Sequence, residues 1–397
     1  MGNPNSILFK IALRNHRMGF LILTVLPGMI GLVNSTAFSV IAGETEQSRL
    51  AFAQSMEIIG QQLTYLLPVP HRIETLGGYL HWRVLGFLGL MFSVWGVMAA
   101  TGSTRAQEDR GNWEQWLSVG VSRFRLMTTS AMAFAAVAGV SVSIVIIAMW
   151  TGAIVVGENL SLKDALLEGL ALFVITLNAF SIGTVVAQFT GSGRTALSFG
   201  AALVVILFFA NSLSRSIDAL VTTSRISPFF WFDRTNSLVP GGSFDIGALI
   251  LLLGSTVLLI MIATVMFIRR DLGSAWFVQH RGKKVKYAAS RNSLLKIPVI
   301  TDIYEQRLSL ALWTVVIILL SGFIGSTAKS AADFIQDLPT FEVYRSLLGI
   351  ENVYEAFLGL SGFSLMQLIL AAFAITTIGR WASDDPEGRL EMALSTP

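Results

Sequence analysis

Apolar runs dominate this chain and recur at a length that fits a bilayer. A helix needs about 20 apolar residues to cross the hydrocarbon core. Eight stretches reach that length, at approximately 20–42, 80–101, 128–156, 169–189, 196–213, 246–268, 309–327 and 361–379. The pattern predicts an all-α integral membrane protein with about eight transmembrane helices. The strongly polar residues inside these stretches are few and mostly uncharged: Asn34, Asn178, Gln188, Asn211 and Gln367. Intramembrane polar groups are the usual pointers to a transport pathway. Asn34, Asn178 and Asn211, with Phe208 near the last, are therefore the candidate pathway residues. Each amide would serve equally to hydrogen-bond a neighbouring helix. Ala135, Gly139 and Ser143, spaced by four, read as a close helix contact. Phe208, Phe209, Phe229, Phe230, Trp231 and Phe232 gather near one end of the fifth stretch. An aromatic belt or a lipophilic exit path would account for them.

The polar connections alternate in charge. Lys10, Arg14 and Arg17 stand in 1–19 without an acid, and Arg105, Arg110, Arg123 and Arg125 lie in 102–127. Arg194 lies in 190–195, and a basic run extends from Arg269 to Arg307. The loops between them are acidic: Glu44, Glu46, Glu57 and Glu74 in 43–79, and Asp333, Asp337, Glu342, Glu351 and Glu355 in 328–360. The positive-inside rule then places the basic segments and both termini in the cytoplasm of a cell that holds the chain in its inner membrane. The acidic loops are long enough to form short capping or re-entrant helices.

Composition supports this reading. Charged residues make up 13% of the chain, hydrophobic ones 53%, and mean hydropathy is +0.65. A soluble domain carries about 25% charged residues, so a soluble enzyme and a disordered chain are both excluded. Net charge is only +3, which gives no reason to expect nucleic acid as a partner. The absence of cysteine excludes disulfides, thiolate metal sites, cysteine nucleophiles and Fe–S clusters. His16, His71, His81 and His280 are scattered without ligand spacing, so no metal is expected. No catalytic constellation stands out. With no charge in mid-span, a proton- or sodium-driven transporter is disfavoured.

At 5–18, Lys10, Arg14 and Arg17 share one helical face while Ile7, Leu8, Phe9 and Ile11 fall away from it. This predicts an interfacial helix on the inner leaflet, in contact with membrane lipid.

One motif occurs twice. After the second stretch the chain reads Glu108-Asp109-Arg110-Gly111-Asn112-Trp113-Glu114-Gln115-Trp116-Leu117-Ser118. After the eighth it reads Asp384-Asp385-Pro386-Glu387-Gly388-Arg389-Leu390-Glu391-Met392-Ala393-Leu394-Ser395. Gly111 aligns with Gly388 and Glu114 with Glu391. The chain thus divides into a first repeat (1–268, interfacial helix plus six spans), a basic linker with a second elbow helix (269–308), and the start of a second repeat (309–397, two spans). Two homologous parts, six spans plus two, imply a remainder of the second repeat elsewhere. Either a separate chain supplies it or the second repeat is truncated at Pro397.

Physically, residues 108–125 read as acids, a glycine, a short helix, and Ser122 capping the next span. Acids at a helix start are favoured by the dipole. Trp113, Trp116 and Leu117 form one apolar stripe, predicting an amphipathic helix with two exposed indoles. Exposed aromatic surface marks a partner or the lipid interface.

Both copies resemble the first cytoplasmic loop of ABC-2 type exporter permeases, and the doubled arrangement resembles the large polyketide-antibiotic and multidrug (tetronasin-type) group. The second copy is nearer the family pattern, while the first has Asn112-Trp113 and Gly120 where the family has Arg-Leu and proline. The resemblance implies coupling helices that dock on separate ATPase subunits, present in two copies and carrying the ATP and Mg. Glu108, Asp109, Gly111, Trp113, Glu114, Trp116 and Leu117, with Asp384, Asp385, Glu387, Gly388, Arg389 and Glu391, would make the contact. This chain itself has no Gly-x-x-x-x-Gly-Lys-Ser/Thr run; Gly191-Ser192-Gly193-Arg194-Thr195 reads as a tight turn. The expected function is the transmembrane subunit of an ATP-driven exporter of lipophilic small molecules such as antibiotics or drugs. The alternative is a membrane scaffold that recruits a cytoplasmic partner without transport.

Overall fold

The computed structural model describes residues 4–62, 68–215, 220–276 and separate positions at 310, 311, 314, 317, 318, 321, 354 and 355. The chain divides into two units, Met1–Arg281 and Gly282–Pro397. In the second unit Leu310, Ala311, Thr314, Ile317, Ile318 and Ser321 are helical, and the Thr314 hydroxyl donates to the Leu310 carbonyl at 2.8 Å. Most of the expected seventh and eighth spans, and the whole second motif from Asp384 to Glu391, lie outside the described residues.

The regular secondary structure described in the first unit is helical, apart from an isolated bridge between Thr235 and Phe244. In chain order its helices are α1 (Pro4–Asn15), α2 (Arg17–Ala42), α3 (Glu46–Gln62), α4 (Leu76–Leu80), a π-helical turn (His81–Leu85), α5 (Gly86–Ser103), α6 (Arg105–Asp109), α7 (Asn112–Ser118), α8 (Arg123–Val155), α9 (Leu162–Phe189), α10 (Gly193–Ser214), α11 (Val221–Ser224), α12 (Pro228–Phe232) and α13 (Ile246–Arg269). Six segments among the described residues are long and apolar enough to cross a membrane: α2, the run from Leu76 to Asp109, α8, α9, α10 and α13. They match the first six expected spans.

Several starts lie earlier than the apolar runs because polar caps precede them. Ser122, Ser161, Ser192 and Asp245 each accept a hydrogen bond from the backbone N–H three residues on, opening α8, α9, α10 and α13. Such caps satisfy amides that have no partner within the helix. Arg234 hydrogen-bonds Asp245 and holds its carboxyl below the usual carboxylate range. The largest difference is α9, which begins at Leu162 instead of near 169. Its first turns carry Lys163, Asp164 and Glu168, which interrupt the apolar run.

Helices α5 and α9 form the centre. About 72% of the apolar window of each is buried, against 28% for α2 and α13. Helix α2 packs on α8, α8 and α13 on α9, and α10 on α5 and α9. The central contact is made by glycines. A Cβ on Gly96 would stand 2.6 Å from the Thr176 carbonyl oxygen, and one on Gly183 would stand 3.0 Å from Val97 Cα. Backbones this close need small residues, as membrane helices commonly use. The expected contact through Ala135, Gly139 and Ser143 is not this one: Ser143 is exposed, and the buried face of α8 runs through Ala138, Val142 and Val145. An aromatic chain fills the space beside it. Phe134 stacks on Phe180 at 4.5 Å and meets Trp95 edge-on at 5.2 Å.

The outer faces of α2 and α13 present Met29, Val33, Val40, Ile250 and Leu251 outward. Apolar surface on this scale is unsuited to water and suited to acyl chains.

The connections sort to two ends. The α1 end holds 103–123, 189–193 and 269–276; the far end holds 43–62, 68–80, 155–162, 214–215 and 220–246. Contacts within each set support this: Arg105 reaches Gly191 and Gly273 at one end, while Arg49 pairs with Glu158 and Ser237 with Glu168 at the other. At the far end α3 lies back on the bundle through Phe52 and Met56, as expected of a capping helix. Helix α12 inserts Phe229 and Phe232 into the core beside Phe208. Half of the expected aromatic belt is therefore core packing.

Candidate functional site

The first motif copy forms a compact hook at the α1 end. Helix α5 ends at Ser103, α6 follows, Gly111 turns the chain with φ of 73° and α7 follows at once. A second turn at Gly120, φ 87°, leads into α8. Both glycines occupy the left-handed region that other residues enter only at a cost.

Behind the hook lies a buried ion cluster. Arg105 and Glu108 lie on α6, and Arg270 directly follows α13. Their side chains are 1%, 1% and 4% exposed. Glu108 accepts from Arg270 through both carboxylate oxygens, from Arg105 at 3.1 Å and from the Gly273 amide at 2.7 Å. Arg105 also donates to the carbonyls of Gly191 (2.8 Å), Gly273 (3.1 Å) and Ser274 (2.8 Å). Arg270 Nε donates to Gln188 at 3.0 Å. Asp109 lies 3.4 Å from Arg105 and accepts from the Gly193 amide at 2.6 Å. Two buried guanidinium groups thus share one buried carboxylate, and Asp109, at the exposed edge of the cluster, supplies the second negative charge. Nearly every polar atom is bonded, as buried ions require. The cluster ties α6 to the α9–α10 turn and to the residues after α13.

Helix α7 is fastened from the other side. Trp113 meets Phe267 of α13 edge-on, with ring centroids 4.6 Å apart, and packs with Leu8, Leu126 and Met127. Arg123 lies over the Phe267 ring and donates to the Phe267 carbonyl at 2.9 Å, satisfying an oxygen at the end of α13. Trp113 is 4% exposed, and Trp116 and Leu117 are partly buried on the same cluster. This corrects the expectation of two exposed indoles. The apolar stripe is real, but it faces the bundle because Leu8 of α1 and Phe267 of α13 cover it. Glu114, Gln115, Ser118 and Val119 face outward instead.

Other expected residues separate into different places. Lys10 and Arg14 are exposed on α1, whose Leu8 and Ala12 are buried. Arg17 belongs to α2, because the chain breaks at His16. The candidate pathway residues each meet different partners. Asn34 accepts from the Tyr79 hydroxyl at 3.0 Å. Asn178 donates to Ser255 at 2.8 Å, bonding α9 to α13. Asn211 donates to Asp233 at 2.7 Å, and Phe208 is core. Each amide therefore joins neighbouring segments of the fold.

The sequence reading missed two features. Arg105 and Arg270 counted only as basic flanks, although their spacing from the motif's acids was visible for Arg105. At the far end His81 Nδ1 lies 2.8 Å from Glu168, which also accepts from Ser237 at 3.0 Å. Arg215 pairs with Asp233 there as well. These charges sit at helix ends, so mid-span remains free of ions among the described residues.

The spans and their outward apolar faces define a multi-pass helical membrane protein. Within that class, the family model described as the multidrug efflux system permease Rv1217c, C-terminal domain, matches residues 9–268 and 296–397, and the chain belongs to that family. Among curated proteins, none matches it.

Proposed function

We propose that this multidrug efflux permease is of the ABC-2 type and is driven by separate ATPase subunits that dock on the hook at α6 and α7. One observation carries the reading. The segment holding the motif turns Glu114, Gln115 and Ser118 outward while Trp113 and Glu108 fasten its back to α13. Such an element offers a polar docking face and a stiff connection to the spans. The α1 end is then cytoplasmic, in keeping with its basic residues. Closure of two ATP-bound subunits would press on α7. The ion cluster would pass that displacement to α13 and to the α9–α10 turn together, rocking the helices and moving a lipophilic cargo such as a drug or antibiotic outward. The second motif, Asp384 to Glu391, would supply a corresponding contact on the other half. ATP and Mg belong to the partner.

The test is co-purification in mild detergent followed by ATPase assay. The expected result is a retained ATPase subunit whose activity responds to the permease, and loss of that response with Glu114→Ala or Glu391→Ala while the complex stays soluble. Retention of no ATPase, or an unchanged response in both variants, would overturn the reading and favour a scaffold without transport.

A further inference from the structure

A cleft of about 230 Å³ opens at the α1 end, and none of Glu114, Gln115 or Ser118 lines it. Asn15 and His16, at the break between α1 and α2, form one wall. Met98 and Gly102 of α5, Gln107 of α6 and Arg110 form the other. Its two halves differ in chemistry. Met98 is 52% exposed on an apolar face of a spanning helix. Arg110 is exposed and has no acidic partner among the described residues, because the nearby acids Glu108 and Asp109 are committed to Arg105, Arg270 and the Gly193 amide. His16 is 4% exposed, and its Nε2 has no hydrogen-bond partner. A buried polar group normally finds one. The cleft thus joins an unsatisfied buried imidazole, an unpaired guanidinium and an apolar strip.

Its position decides the ligand class. Arg17 begins spanning helix α2, and the spanning segment that contains α5 ends at Asp109. A cleft between these two helix ends lies at headgroup depth in the membrane reading. A soluble anion would use Arg110 and leave Met98 bare. An amphiphile uses both, because a phosphodiester accepts from Arg110 while its chain runs along Met98. We propose that this cleft is a binding site for an anionic phospholipid of the leaflet that surrounds the α1 end. The lipid would wedge between the α1–α2 break and the root of the hook. This proposal does not depend on which subunit docks at α7.

Two variants test it without disturbing the core. A side chain at Gly102 meets nothing within 4 Å of its Cβ, and leucine is a better helix former than glycine. Gly102→Leu therefore fills the cleft with the fold intact. Arg110→Gln removes the charge from an exposed position. Native mass spectrometry of the purified full chain, titrated with phosphatidylglycerol, phosphatidylcholine or inorganic phosphate, reads the site directly. The expected result is phosphatidylglycerol binding weakened about tenfold in each variant, the scale of one charge-assisted hydrogen bond, with phosphatidylcholine weaker throughout. Equal phosphatidylglycerol binding by wild type and both variants would overturn the site. Equal binding of phosphatidylcholine would overturn its charge selectivity. Inorganic phosphate binding as tightly as the lipid would overturn the amphiphile assignment and leave a plain anion site.

Discussion

Arg270 Nη1 lies 2.7 Å from Glu108 Oε1, joining the residue after α13 to one 162 positions earlier on α6. The pair is buried, and the Gly273 amide and Arg105 complete the carboxylate's partners. A buried ion pair gives little net stability over an apolar one, but removing one partner strands a charge. The arrangement therefore acts as a fastener, holding the hook against α13 and tolerating little change.

Glu108→Gln is expected to lower stability by about 3–5 kcal/mol, because two buried guanidinium groups lose their principal counter-charge. Glu114→Ala, on the exposed face of α7, should change stability by less than about 0.5 kcal/mol. Thermal unfolding in detergent compares them. Similar melting temperatures for both variants would show that the cluster does not fasten the hook.

The two tryptophans of the motif should behave differently. Trp113 fills the gap between Leu8, Met127 and Phe267, so Trp113→Ala should cost about 3–5 kcal/mol by cavity formation. Trp116, only partly buried, should cost clearly less. Fluorescence quenching by acrylamide in single-tryptophan variants gives a second reading, with Trp113 shielded and Trp116 accessible. Equal quenching would contradict the burial of α7's apolar stripe.

The glycines at the centre give a contrast of their own. Gly96→Ala puts a Cβ 2.6 Å from the Thr176 oxygen, and Gly183→Ala puts one 3.0 Å from Val97 Cα. Either must push α5 and α9 apart, and both variants should melt below wild type. At Gly139 the nearest atom stands at 3.5 Å, on the Phe173 ring. Alanine there should be neutral or stabilising by about 0.5–1 kcal/mol, the helix penalty of glycine. A loss of stability with Gly139→Ala alone would restore the contact expected through Ala135 and Ser143.

What the sequence made legible follows from the range of the forces involved. Hydrophobic length is a local property, so the first six spans could be read to within a few residues, the start of α9 excepted, as could the cap at Ser122. The hook's apolar stripe was legible by its spacing. Its direction was not, because the cover comes from Leu8 and Phe267, far away in the chain. The ion cluster stayed hidden for the same reason: Arg270 looked like one of several basic residues flanking α13, and only packing brings it to Glu108. Glu168 lies ahead of the apolar run in sequence, and only packing brings it to His81 and Ser237 at the bundle's far end.

His16 connects burial to pH. Its ring sits edge-on to Phe134 at 5.5 Å, and burial lowers its pKa from 6.5 to about 4. The folded state thus holds the neutral ring, and protonation favours the unfolded chain. Its contribution to stability is fully present above pH 6.5, falls as pH drops from 6.5 towards 4, and levels off below. Carboxylates also titrate near the lower limit, so wild type must be compared with His16→Gln, which keeps a polar group but cannot charge. Between pH 6.5 and 4 the wild-type melting temperature should fall more steeply than the variant's, and above pH 7 the two curves should run parallel. Parallel curves across the whole range would mean that water reaches the ring, and the wall of the cleft would then be open where the structure closes it.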